Sequence, residues 1–130
     1  MKKLIDIAQR LCTPRKLNQG VYCGEVAAAL ETISGSIYTG ICVVSPCGMG
    51  FCAEHSAIAE MLKNGESEIK SIVAVSKEGI LPPCGRCREF MRQINPHNYF
   101  VTQVVLDDEK TIPLSELLPS PFYINSESCS

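Results

Sequence analysis

The sequence predicts an α/β fold, a three-layer α/β/α sandwich around a central mixed five-stranded sheet. Three observations carry this. Apolar residues recur at helical spacing in several segments, short runs rich in Val and Ile alternate with those segments, and turn residues separate them. The order reads helix, two strands, then helix–strand–helix–strand, with a weak strand and a short helix at the end. Strands linked through helices build a sheet covered on both faces.

Leu4, Ile5, Ala8 and Leu11 form the apolar stripe of an amphipathic helix over residues 3–12, which Pro14 ends. "CGEVAAALETISGSIYTGICVVS" reads as two strands, about 24–31 and 36–44, turning at Ser34-Gly35 and pairing antiparallel. "SPCGMG" (45–50) is a turn-rich loop. "CAEHSAIAEMLKNG" is a helix with Ala57, Ile58, Met61 and Leu62 on one face and Gly65 as its stop. "IKSIVAVS" is a short buried strand, and a Pro-Pro loop then opens a helix running to about Asn95. "FVTQVVL" is a further strand, "DDEK" a turn, "TIPL" a weak strand and "SELL" a short helix before Pro119. The later strands, each reached through a helix, are expected to run parallel.

With 130 residues and 45% apolar content, the chain is long enough for one domain with its own core, spanning residues 1–130. A net charge of −2, without a run of Lys or Arg, offers nothing to track a phosphate backbone, so long nucleic acid is not an expected partner. The opening "MKKLIDIAQRLC" carries Lys2 and Lys3, but Asp6, Gln9 and Arg10 break the apolar run that a secretory signal needs. No stretch is long enough to span a membrane, and the protein is expected in the cytoplasm. Eight cysteines in that compartment stay reduced, either as small core residues or as metal ligands.

Spacing separates those two uses. "PPCGRC" sets Cys84 and Cys87 three apart at a helix start, where two sulfurs can meet at one point and the helix dipole favours thiolates. Alone, such a pair could equally be a redox dithiol or half of a structural zinc site. "FCAEHSA" adds Cys52 at a second helix start, with Glu54 beside it. Three soft ligands leave one position free on a tetrahedral ion, and a carboxylate next to it can take and return a proton. His55 lies close enough to be a fourth ligand or merely a neighbour.

"CAE" followed by "PCGRC" resembles the cytidine deaminase superfamily signature of the zinc nucleobase deaminases. "VAAALETISGSIYTG" is similar to the family's first hairpin and "ELLPSPF" to its C-terminal helix and following aromatic. The small blasticidin-S deaminases share "GIL-x-PCGRCR" and "ELLPS". The resemblance implies Zn2+ held by Cys52, Cys84 and Cys87, with a water as fourth ligand that attacks the ring carbon bearing the amino group. It implies Glu54 as the proton carrier, first to the ring nitrogen and then to the departing amine, with ammonia released. Ala53 would contact the ring through its backbone. The three thiolates leave the cluster negative, and the resemblance makes His55, Arg86 and Arg88 the candidate groups around it; relatives often carry Arg where His55 stands. A non-catalytic zinc-binding relative and a Cys84–Cys87 redox protein are the alternative readings.

The same resemblance marks departures. Ribose-binding Asn and Glu of ordinary cytidine deaminases correspond to Cys42 and Val44, which leaves Cys42 as the substrate contact at that position. The aromatic that stacks on the pyrimidine corresponds to Gly24. The expected substrate is therefore a small cytosine nucleoside or analogue, cytidine-like or blasticidin S-like. Phe122 is either a C-terminal core anchor or the match of an aromatic that reaches a neighbouring subunit's pocket, which implies a homotetramer. Cys47 is a loop residue, or a thiol that closes the zinc site. Cys12, Cys23 and Cys129 read as ordinary thiols, His97 as solvated, and Glu25 and Glu31 as surface carboxylates, with Glu25 able to face the pocket.

Overall fold

The computed structural model describes residues 1–122, so Cys129 lies outside the described residues. The chain runs α1 (Lys2–Leu11), β1 (Arg15–Asn18), β2 (Val21–Thr32), β3 (Ile37–Val44), α2 (Ala53–Lys63), β4 (Ile69–Ser76) and β5 (Gly79–Leu81). It continues through α3 (Gly85–Ile94), α4 (Asn98–Val101), β6 (Gln103–Val105), β7 (Thr111–Pro113) and α5 (Leu114–Leu117).

Five strands lie in the order β3–β2–β4–β6–β7; β1 adds to the start of β2 and β5 to the end of β4. The sheet is mixed as expected, but it has seven strands rather than five. The two extra strands escape a pattern search for physical reasons. β1, "RKLN", is exposed at every position and so has no apolar alternation, and β5 is only three residues long. β4 and β6 form the one parallel pair among the described residues. Every other pairing is antiparallel, β2 with β4 included.

β2 explains the three layers. Its residues 27–30 are wholly buried, because both faces of the sheet are covered there. Ala27 and Ala29 meet Leu4, Ile5 and Ala8 of α1 on one face, together with Val73, Val75 and Val105. Ala28 and Leu30 meet Ala57, Ile58 and Met61 of α2, Met91 of α3 and Leu114 of α5 on the other. Full burial of Leu30, Ile58 or Met61 contributes about 1.5–3 kcal/mol each. Glu66, after α2, accepts hydrogen bonds from Ser34 Oγ and from Tyr38 Oη (2.7 Å), which ties the α2–β4 loop to the β2–β3 hairpin.

The segment "FVTQVVL" departs from the expected strand: residues 98–101 are helical and the strand begins at Gln103. Asn98 decides this. Its fully buried amide donates to Met91 O (2.9 Å) and Ser67 O (3.0 Å) and accepts from Ile69 N–H (2.8 Å). That network pins a helical turn which the apolar aromatic run alone does not suggest.

β2 is bulged near its start. Cys23 pairs with Val43 and Ala27 with Ile41, so residues 24–26 face Cys42 alone. Gly24 takes φ +79°, and a Cβ there would lie 2.5 Å from Thr13 O. No side chain fits at Gly24.

Candidate active site

Cys52 is the N-cap of α2 and Cys84 the N-cap of α3, both in extended backbone conformation, and Cys87 sits in the first turn of α3. The caps hold because Cys52 O and Cys84 O accept the opening helical bonds from Ser56 (3.3 Å) and Arg88 (3.0 Å). The two helix starts bring the sulfurs together. Cys52 Sγ lies 3.6 Å from Cys84 Sγ, Cys84 Sγ lies 3.4 Å from Cys87 Sγ, and all three fall within 4.8 Å of one another. Tetrahedral thiolates bound at about 2.3 Å stand roughly 3.8 Å apart, so the donor set fits zinc. His55 and Glu54 do not belong to this group, so among the described residues the donor set is the three cysteines. Cys47 is exposed and also outside it, in a left-handed conformation (φ 60°) within a 3-10 turn. It does not close the site.

The local electrostatics suit a cation. Burial pushes the Cys87 thiol well up, reinforced by the charge of Glu54 and by the neighbouring thiols. Burial and Cys84 also raise Cys52. At Cys84 burial opposes the thiolate, but the N–H dipole and thiol of Cys87, with Cys52 and the Arg86 N–H, outweigh it and its pKa falls. Sulfurs crowded this way bind a dication that takes the place of their protons.

Glu54, in the first turn of α2, is 5% exposed. Burial lifts its pKa above the ordinary carboxylate range, against the pull of its own N–H and of the Cys87 thiol. It borders a cleft of about 480 Å³ together with Ala53, Cys52 and Cys84. The other walls are mostly apolar: Cys42, Val43 and Val44 of β3, Phe51 before α2, and Leu81-Pro82 before α3. Cys42 is buried, and its Sγ already accepts the Val26 N–H at 3.3 Å. Val44 offers only methyl groups.

His55 is half-buried, with Nδ1 at 3.4 Å from Cys87 Sγ and its ring stacked on Phe90 at 4.4 Å and 5°. Burial, with the charge of Arg86, holds the imidazole below its ordinary pKa. Arg86 is exposed on the cleft wall. Arg88 points elsewhere: Nε donates to Pro83 O (2.8 Å) and a terminal nitrogen to Leu117 O (3.0 Å). It braces the loop that carries Cys84 and touches no sulfur through these bonds.

Phe122 does not line this cleft. Its backbone is pinned to α3 by Glu89 and by Arg92 (3.0 Å), and its ring is 64% exposed. Glu25 is exposed and lines a separate depression with Arg15, Lys16 and Lys77, not the cleft. His97 is exposed, 3.8 Å from Glu68. Two residues escape the sequence reading. Phe51 enters the cleft wall, where its backbone bridges to Val43, and Phe90, outside the cleft, stacks on His55. An aromatic directly before a ligand cysteine is the signal that points to Phe51.

Comparison with known proteins agrees with this geometry. The family described as cytidine and deoxycytidylate deaminase zinc-binding region matches residues 3–103. A cytidine deaminase of Halalkalibacterium halodurans is 33% identical over 75% of this chain and 76% of its own length. A blasticidin-S deaminase of Bacillus cereus is 30% identical over 77% of this chain and 78% of its own. The fold superposes on a cytidine deaminase from Mycobacterium tuberculosis with a TM-score of 0.78 at 21% identity, covering 95% of this chain and 97% of the other. A cytidine deaminase from Burkholderia pseudomallei gives a TM-score of 0.74 at 27% identity, covering 93% and 98%. The chain belongs to the cytidine and deoxycytidylate deaminase family of zinc-dependent hydrolytic deaminases.

Proposed function

We propose that the protein removes the exocyclic amine from the cytosine ring of a small nucleoside or nucleoside analogue by hydrolysis, releasing ammonia. One observation carries the reading: three sulfurs from two helix starts converge beside a buried carboxylate at one apolar cleft.

Cys52, Cys84 and Cys87 hold the metal. Bound zinc supplies a Lewis acid that makes a water nucleophilic near neutral pH. Glu54 would take a proton from the attacking water as its oxygen bonds to the amino-bearing ring carbon, and pass it to the adjacent ring nitrogen. It then carries the second proton from the new hydroxyl to the amine, the carbon–nitrogen bond breaks, and ammonia leaves a carbonyl behind. Its burial suits this traffic, because a carboxyl whose pKa is raised holds a proton more readily than an ordinary carboxylate. The Ala53 backbone, at the first position of α2, contacts the ring. His55 donates Nδ1–H to the Cys87 sulfur and draws off part of the thiolate charge.

The walls narrow the substrate. Cys42 is engaged by Val26 and Val44 cannot accept a hydroxyl, so the cleft lacks side chains that read a ribose diol from β3. An altered nucleoside of the blasticidin S type fits this better than cytidine. A panel of cytosine compounds with zinc-loaded protein, read by ammonia release, tests the proposal, and turnover of none would overturn it.

The working form is a homotetramer of one domain over residues 1–130, in which Phe122 reaches a neighbour's cleft. Its outward ring on a backbone held by Arg92 supports this. Light scattering that finds monomer alone would remove that role. The cytoplasm is the proposed location, supported by the free state of all seven described cysteines. No helix among the described residues is long and apolar enough to cross a membrane.

A further inference from the structure

We infer that Phe51 is the platform on which the flat ring of the ligand rests, and thus a specificity-determining residue for the reaction proposed above. β2 brings no aromatic side chain to the cleft, where it contributes Val26. At Gly24 the positive φ and the 2.5 Å approach to Thr13 O bar every side chain, so no aromatic can reach the cleft from that position. Among the described residues that line the cleft, Phe51 is the one aromatic. Its neighbours in the wall are aliphatic groups, backbone, sulfurs, Ser45, Glu54 and Arg86.

The position is held firmly. Phe51 N–H donates to Val43 O at 2.9 Å and Val43 N–H donates to Phe51 O at 3.0 Å, an isolated bridge that fixes the residue to β3 directly before Cys52. Gly50 makes the crossing feasible, because a Cβ there would lie 2.0 Å from Val43 O. The backbone is therefore held by two hydrogen bonds, while the residue stays 42% exposed. Apolar area left open on a rigid wall beside the reacting groups is stabilised by whatever covers it, and the face of a pyrimidine covers it well. Phe51 also borders a second groove with His55, Ala59 and Phe90. Phe51 thus contributes to the walls of both.

The inference rests on the deaminase reading for its reacting ring, but a binding measurement separates the two. Pyrimidine nucleosides, cytosine and uracil forms alike, are titrated against full-length zinc-loaded protein by ligand-observed NMR, which needs no turnover. Phe51→Leu is expected to weaken both forms about three- to tenfold, the aromatic share of such a contact. Phe51→Ala is expected to weaken them about ten- to a hundredfold, and Phe51→Tyr to bind like the parent. Where a substrate is turned over, KM rises by the same factor as the product inhibition constant, with kcat within about twofold.

Weaker binding in the Leu variant supports the platform even if no cytosine compound is hydrolysed, in which case only the deaminase reading fails. Unchanged affinities in Phe51→Leu and Phe51→Ala, at parental zinc content, overturn it. So does a Leu variant whose sole change is its oligomeric state by light scattering. If the Ala variant fails to fold, the comparison of Leu with Tyr decides.

Discussion

Replacing Gly40 by Ala tests whether the sheet sets the spacing of the metal cluster. Gly40 lies in β3 beneath α2, and a Cβ on it would come 2.4 Å from Ala57 N and 2.5 Å from Ser56 Cβ. Ordinary contact begins near 3.4 Å, so the added methyl overlaps helix backbone by about 1 Å. Backbone cannot swing aside as a side chain would, and α2 has to lift by a comparable amount. Overpacking of this kind costs about 1–3 kcal/mol, which lowers the apparent melting temperature by roughly 4–15 °C. The consequence for chemistry is larger. α2 carries Cys52 and Glu54, whereas Cys84 and Cys87 ride on α3, so a lift of α2 widens the 3.6 Å gap between Cys52 Sγ and Cys84 Sγ. A 1 Å misplacement of reacting groups costs on the order of a hundredfold in rate. Ammonia release, zinc competition against a colorimetric chelator and thermal melting measure the three effects. A Gly40→Ala protein with parental rate, zinc affinity and melting temperature would refute the reasoning.

Three other changes probe different links. Glu54→Gln keeps the shape and the three sulfurs but removes the proton carrier; kcat is expected to fall by about 10²–10⁴-fold with zinc content unchanged, and retained turnover would exclude Glu54 from proton transfer. Cys42→Asn gives the cleft an amide that can still accept the Val26 N–H and can also meet a ribose hydroxyl. It is expected to raise kcat/KM for cytidine over a diol-free analogue by roughly two- to tenfold, the worth of one hydrogen bond, and an unchanged ratio would place the sugar elsewhere. Hydrogen bonds from Ser34, Tyr38 and Thr32 hold Glu66 at about 2 against an ordinary 4.5. A depressed folded pKa stabilises above the unfolded value and that stabilisation is lost as pH falls. Urea midpoints should therefore drop between about pH 4.5 and 2, and Glu66→Gln should flatten that part of the profile.

The parts of the site that were legible in the sequence are those fixed by local chain chemistry. Cys52 and Cys84 each precede a helical pattern, so their place at helix starts follows from the capping position itself. Glu54 and Cys87 come with them, two and three residues on. The illegible parts depend on distant partners. Arg88 looks like a cation for the cluster until Leu117 O, 29 residues away, is found to hold it. "NYFV" has strand composition and is helical because Asn98 bonds to Ser67, Ile69 and Met91. Phe51 becomes a cleft wall only through its bridge to Val43. The same limit applies to β1, whose exposed "RKLN" pairs with β2 without any apolar signal of its own.

The arrangement separates chemistry from recognition by element. The sulfurs and Glu54 belong to the starts of α2 and α3, and both helices are locked from below, α2 through Ala53, Ala57, Ile58 and Met61 and α3 through Met91. α3 is further tied by Arg88 to Leu117 and by Arg92 to Phe122. The side chains that line the rest of the cleft lie on other pieces of chain: Cys42 and Val44 on β3, Phe51 in the loop, Leu81 and Pro82 before α3. Val44 is 48% exposed and Phe51 42%, so changing either removes little packing. Substitution at these positions can therefore alter which nucleoside is held without shifting the three sulfurs. That separation lets β3 present Cys42 and Val44 to a cleft whose three sulfurs and Glu54 are held by other elements. It also requires that Val44→Glu, made in the Cys42→Asn background, change relative kcat/KM among nucleosides while leaving zinc affinity at the parental value. A matching loss of zinc affinity would mean that β3 and the helix starts move as one unit.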